Sequence, residues 1–212
     1  MLFVAEGIRE DREKEVEMTW EEEENCVEEV RRVRRLIIGD SMIKNLKTLS
    51  DSKIIVRRGA RVGDLGSAIE ENMDNLDGII IHVGTNDVGS QTDLSIFERT
   101  FVDLINLLKR RASKGILFLS NILPRPRDGR RHDWGRYNRI ISNVARQPRC
   151  VYINGCRTFS WPNGAPDKSC FAQDGLHLNS RGTDLLSEII TSRSNYKMIG
   201  MYKDKFAKYF GH

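Results

Sequence analysis

From residue 33 onward, short continuous apolar runs alternate with longer stretches in which apolar residues recur every three or four positions. The short runs fall at 33–38, 53–56, 78–83, 115–119 and 151–153. Their length and their Ile and Val content predict five strands, and the run at 78–83 is continuous and apolar but for His82, as a strand buried on both faces is. Between and after them, helical spacing predicts helices over about 62–73, 94–112, 133–145 and 180–191. The stripe Leu94, Phe97, Phe101, Leu104, Ile105 and Leu108 is the longest of these, and Ser180 is the expected N-cap of the last helix. Single helices between short strands imply an α/β fold, with a parallel sheet in a three-layer α/β/α sandwich.

The pattern does not reach the ends of the chain. Residues 1–32 form an acidic leader with few apolar residues and no sustained heptad, expected to be partly helical or disordered. Residues 33–192 hold the alternating pattern and form the expected domain. Residues 193–212 are a basic aromatic tail in which Met198, Tyr202, Phe206 and Tyr209 recur at helical spacing. That spacing fits a terminal helix docked on the body, or a basic amphipathic segment meeting an anionic membrane surface.

Charge sharpens this division. Residues 1–30 carry 12 acidic and 3 basic groups, leaving 31 basic and 18 acidic groups on the other 182 residues. The net charge of +4 therefore conceals a leader of −9 and a body of +13. Lys109, Arg110, Arg111 and Lys114 gather where a helix is expected to end, a position that favours cations. Arg125, Arg127, Arg130, Arg131, Arg136 and Arg139 crowd 15 residues, and form either a solvated loop or a surface for nucleic-acid phosphates. Apolar content of 39% and a mean hydropathy of −0.47 suit a soluble globular chain. No apolar run nears the roughly 20 residues that span a bilayer. Without an export signal, the expected location is cytoplasmic, and Cys26, Cys150, Cys156 and Cys170 are expected to be reduced thiols.

Candidate chemistry lies where strands are expected to end. The first strand runs into Gly39-Asp40-Ser41, putting a hydroxyl at the carboxyl edge of the sheet, where open α/β sheets bind ligands. A serine hydroxyl needs a base to become a nucleophile. His177, in Asp174-Gly175-Leu176-His177, is the candidate base, with Asp174 on the same turn to orient it. Gly59, in Arg58-Gly59-Ala60, follows the second strand and lets backbone approach a substrate closely. Asn86, in Gly84-Thr85-Asn86-Asp87, follows the third. Each has a plainer reading: Ser41 as a helix cap, Gly59 as a turn glycine, Asn86 as an Asx turn, His177 as a surface histidine. Asp40 and Asp87 read as turn or capping residues, and His82, inside the third strand, as a core histidine.

These blocks, in this order, resemble the SGNH (GDSL-type) serine hydrolase superfamily over roughly residues 33–192. Met42 stands where the eponymous pattern has leucine, and no equivalent is visible of the polar block that many members carry between the third and fifth. The resemblance implies a flavodoxin-like order for the five-stranded sheet. It also implies an esterase or acyl hydrolase with Ser41, Asp174 and His177 as catalytic residues. The oxyanion would be held by the Ser41 and Gly59 backbone amides and the Asn86 side chain. No metal or organic cofactor is expected, and the partner is a small ester or acylated substrate. The stretches 36–43, 79–87, 119–128 and 174–182 are further similar to SGNH domains encoded by animal LINE-type retroelements. This keeps open an alternative: a basic nucleic-acid-associated module with vestigial hydrolase activity. The acyl and alcohol specificity and the oligomeric state are not legible in the chain.

Overall fold

A computed structural model describes residues 34–47, 52–69, 73, 75–128 and 134–210. The acidic leader, the 129–133 segment of the arginine-rich loop and Cys26 lie outside them. Five strands form one parallel sheet: β1 (Arg35–Gly39), β2 (Ser52–Val56), β3 (Gly78–His82), β4 (Ile116–Ser120) and β5 (Cys150–Ile153). Their order is β2-β1-β3-β4-β5, the flavodoxin-like arrangement, whose ligands bind beyond the carboxyl ends of the strands. The helices are α1 (Thr85–Gly89), α2 (Leu94–Arg111), α3 (Trp134–Val144) and α4 (Ser180–Phe210).

Alternation along the strands builds two cores. Leu36, Ile38, Ile79, Ile81, Leu117 and Leu119 face Phe97, Phe101 and Ile105 of α2 and Ile141 of α3. Ile37, Ile80, Phe118 and Ile153 point the other way, toward Leu186 and Ile190 of α4, Ile43, Phe159 and Phe171. A strand turns successive side chains to opposite faces, so three consecutive apolar residues in β1 serve both layers. The helices carry their own terminal bonds. Asp93 accepts the Ser95 and Ile96 amides at the start of α2, and Arg149 donates to the Lys109 and Ala112 carbonyls at its end. The last turn of α2 holds Lys109, Arg110 and Arg111, in keeping with the dipole reading.

Three local expectations need correction. No helix spans 62–73: the chain makes two short 3-10 turns, Val62–Asp64 and Gly66–Ala68, and Ile69 is already extended at φ −91°, ψ 119°. Gly63 and Gly66 weaken a helix there. Asp64 and Ser67 spend their side chains locally, Asp64 Oδ2 accepting the Arg61 amide and Ser67 Oγ donating to the Asp64 carbonyl. The cap of the last helix is Asn179 rather than Ser180, because Asn179 Oδ1 accepts the Gly182 amide at 3.0 Å. That helix also continues past its expected end at 191 to Phe210. Arg35 on β1 donates to Asn195 Oδ1 at 2.8 Å, fastening this extension of α4 to the sheet. Cys150, Cys156 and Cys170 are free thiols.

Candidate active site

Everything that positions Ser41 starts at the carboxyl end of β1. The Asp40 amide donates to the His82 carbonyl at 3.3 Å, extending the β1–β3 ladder by one bond. Asp40 Oδ1 then accepts the Met42 amide at 3.0 Å and caps the 3-10 turn Ser41–Ile43. Ser41 opens that turn and is half-buried. Asp40 itself is fully buried. Burial pushes its carboxyl up to about 6, against hydrogen bonds from the Met42 and Thr85 amides that favour the charged form.

The turn after β2 is tied to the same place. The Arg57 amide donates to the Gly39 carbonyl at 2.8 Å, and the Ala60 amide to the Arg57 carbonyl at 3.1 Å. Gly59 holds φ at +73°, the third position of a turn that demands positive φ, which only glycine adopts cheaply. A Cβ there would meet nothing within 4 Å, so the space above Gly59 is open. Among the described residues, neither the Ser41 nor the Gly59 amide donates to a protein acceptor.

Asn86 and Asp87, adjacent on α1, both grip this turn region. Asn86 Nδ2 donates to the Ala60 carbonyl at 2.9 Å, and Asp87 Oδ2 accepts the Val62 amide at 3.1 Å. The second amide hydrogen of Asn86 is left for another acceptor. Burial raises the Asp87 carboxyl to about 6, while the Val62 amide and the Arg61 charge work against that shift.

His177 and Asp174 come from the loop before α4. The Phe171–Leu178 bridge and the bond from the Ala172 amide to the His177 carbonyl close this loop. His177 Nε2 lies 3.1 Å from Ser41 Oγ, and His177 Nδ1 lies 2.6 Å from Asp174 Oδ2. Asp174 Oδ1 accepts the Leu176 and His177 amides at 2.9 and 3.0 Å. The bond to the His177 ring, followed by the Leu176 amide, draws the Asp174 carboxyl down to about 2. A carboxylate held charged against Nδ1 places the ring proton there and leaves Nε2 free to accept from Ser41.

Two histidines with similar ring chemistry thus sit in opposite environments. His82 is fully buried, its Nδ1 2.9 Å from Ser120 Oγ, and burial lowers it to about 4, so its ring stays neutral. It is the core histidine its strand position suggested.

The arginine-rich segment needs correction at Arg125, which the sequence grouped with a phosphate-binding surface. Its side chain is 8% exposed and its Nε lies 2.7 Å from Asp128 Oδ2, while its guanidinium donates to the Thr85 carbonyl at 2.8 Å. Two residues on, the Arg127 amide donates to the Gly175 carbonyl at 2.9 Å. The 125–128 turn therefore straps the Asn86 block to the Asp174–His177 loop. Charge counting missed this role; the available signal was the arginine's place between Pro124 and Pro126, where the backbone has little freedom. Arg127, Arg136 and Arg139 are exposed, and Arg130 and Arg131 lie outside the described residues. Among the described residues no group of three or more His, Cys, Asp or Glu side chains is placed to hold a metal ion, and no helix is long and apolar enough to cross a membrane.

A doubly wound sheet with a Ser–His–Asp line at its carboxyl edge defines a hydrolase-like α/β class. The profile of the GDSL-like lipase/acylhydrolase family matches residues 38–185, and the chain belongs to that family. Solved structures share the fold. A GDSL-like lipase from Bacteroides thetaiotaomicron is 18% identical with a TM-score of 0.63, over 80% of this chain and 90% of that one. An acetylxylan esterase from Geobacillus stearothermophilus is 19% identical with a TM-score of 0.60, over 80% and 94%. A lipase from a goat rumen metagenome is 15% identical with a TM-score of 0.58, over 76% and 96%. At these identities the likeness concerns the fold alone. No curated protein sequence matches the chain.

Proposed function

We propose that this member of the acylhydrolase family is a serine esterase that cleaves small ester or acyl groups through an acyl-enzyme on Ser41. The observation that carries the reading is the unbroken line of hydrogen bonds Ser41–His177–Asp174, at 3.1 and 2.6 Å. Ser41 Oγ attacks the ester carbonyl as His177 Nε2 takes its proton, and Asp174 stabilises the imidazolium. The carbonyl oxygen becomes an oxyanion held by the Ser41 and Gly59 amides and the free Asn86 amide hydrogen. Such donors are each worth about 10²–10³ in turnover. Collapse breaks the ester C–O bond, and the alcohol leaves with the proton from His177. Water, deprotonated by His177, then attacks the acyl carbon and releases the acid and Ser41. The chemistry needs no group beyond these side chains, backbone amides and water.

The retroelement-like, nucleic-acid-associated reading is less favoured. The family and the fold neighbours are acylhydrolases and esterases, and Arg125 is turned inward. Hydrolysis of 4-nitrophenyl esters from acetate to octanoate, by wild type and by Ser41→Ala and His177→Ala, tests the proposal. It predicts turnover in wild type that both variants lose. Absence of turnover in folded wild type, or turnover that survives Ser41→Ala, overturns it.

A further inference from the structure

The turn that carries Gly59 reads Arg57-Arg58-Gly59-Ala60-Arg61, so three arginines surround one of the proposed oxyanion donors. All three are exposed. The bond from the Arg57 amide to the Gly39 carbonyl sets this turn beside the Gly39–Ser41 segment. Arg61 has a nearby countercharge, the buried Asp87 carboxyl. Among the described residues, the side chains of Arg57 and Arg58 have no ion pair or hydrogen bond.

The Asp174 side of the site also carries cations. An open cavity of about 430 Å³ borders the Asp174 turn, lined by Arg127, Lys168, Pro126, Phe171, Asp174 and Gly175. Lys168 is exposed. Arg127 has Asp128 only at 3.9 Å, and that carboxylate is already paired with Arg125 at 2.7 Å. On this flank the Asp174 carboxylate, bonded to the His177 ring, keeps its own negative charge, which offsets part of the Arg127 and Lys168 charge. The cations of the site without a matching anion among the described residues are therefore Arg57 and Arg58, on the turn bonded to the Gly39 carbonyl two residues before Ser41. Unpaired arginines far from a site would serve solubility. Here Arg57 and Arg58 sit on the turn that bears the proposed oxyanion donor Gly59, where their field acts on whatever enters.

We propose that the substrate is an ester carrying an anionic group, a carboxylate or phosphate, near the scissile bond, and that Arg57 and Arg58 select it. This rests on the esterase reading above. Planar, always-charged guanidinium groups suit both anions, and each accepts them in a two-point contact. Because the pair is exposed, the preference is moderate and salt-sensitive.

The test compares 4-nitrophenyl hexanoate with the mono-4-nitrophenyl ester of adipic acid, equal in acyl length and differing by one carboxylate. A 6-phosphonohexanoate ester separates phosphate from carboxylate. In wild type at low ionic strength, kcat/KM for a charged ester exceeds that for the neutral one on the order of threefold to tenfold. In Arg57→Gln/Arg58→Gln, or at about 0.5 M salt, the ratio falls toward one. Calorimetric binding of the same esters to Ser41→Ala reads the preference without turnover. Equal kcat/KM and equal binding of charged and neutral esters, or a ratio that the double variant leaves intact, overturns the proposal. Selective binding by Ser41→Ala without hydrolysis by wild type would sink the esterase reading and leave the selectivity standing. Hydrolysis without charge preference would do the reverse.

Discussion

Replacing Asp174 with asparagine separates the chemistry of the site from its architecture. Asp174 uses its two oxygens for different tasks. Oδ1 accepts the Leu176 and His177 amides and shapes the turn, while Oδ2 meets His177 Nδ1 at 2.6 Å. Asparagine can keep its carbonyl oxygen on the two amides, so the turn survives. It then presents an NH₂ group to Nδ1, which must become an acceptor. The ring proton moves to Nε2, and the group facing Ser41 at 3.1 Å loses its ability to take the hydroxyl proton. A wrong tautomer of this kind costs about 10⁴ in kcat. The carboxylate is roughly half exposed, its side chain 44% accessible, so solvent screening limits the stability loss to about 1 kcal/mol or less. Ester hydrolysis should therefore fall by about 10³–10⁴, while the urea midpoint moves little. Asp174→Ala should lose the activity and also loosen the turn. If Asp174→Asn retains a tenth or more of wild-type kcat, the carboxylate does not set the His177 tautomer and the argument is wrong.

Arg125→Ala should destabilise the fold by about 3 kcal/mol, because it strands the Asp128 carboxylate, whose side chain is only 11% exposed. Arg127→Ala, on a side chain 52% exposed, should change stability by no more than about 0.5 kcal/mol; comparable urea midpoints for the two variants would refute the strap. Gly39→Ala would place a Cβ 2.0 Å from the His82 carbonyl oxygen, a backbone atom that cannot swing aside, and should leave little folded protein by circular dichroism. The Asp40 carboxyl, raised from 3.8 to about 6, makes the fold relatively more stable when protonated. The stability of wild type relative to Asp40→Asn should then rise by up to about 3 kcal/mol as the pH falls from above 6 to below 4. A difference that stays flat with pH in urea titrations would rule out the burial argument.

The sheet was legible because its strands are apolar runs that few other structures tolerate, and the structure shifts their ends by a residue or two. The stretch 62–73 misled because Val62, Leu65 and Ala68 keep helical spacing while Gly63, Gly66 and the local bonding of Asp64 favour short turns. Five-residue α1 is too short to leave a stripe at all. At the site, Ser41, Gly59, Asn86, Asp174 and His177 could be named because each sits in a short block at the end of a predicted strand or the start of a helix. Their mutual geometry could not. The bond between Asn86 and the Ala60 carbonyl and the bond between Arg125 and the Thr85 carbonyl both join residues distant in sequence, and no local pattern encodes them. Arg125 shows the limit most sharply. Its charge is visible in the sequence, but its burial depends on where Asp128 and Thr85 end up.

The most direct measurement is covalent labelling of the intact protein with a fluorophosphonate, read by mass spectrometry. The account predicts a single adduct on Ser41, absent from Ser41→Ala and strongly slowed in His177→Ala. No adduct on folded wild type, or an adduct on another serine while Ser41 stays free, would contradict it.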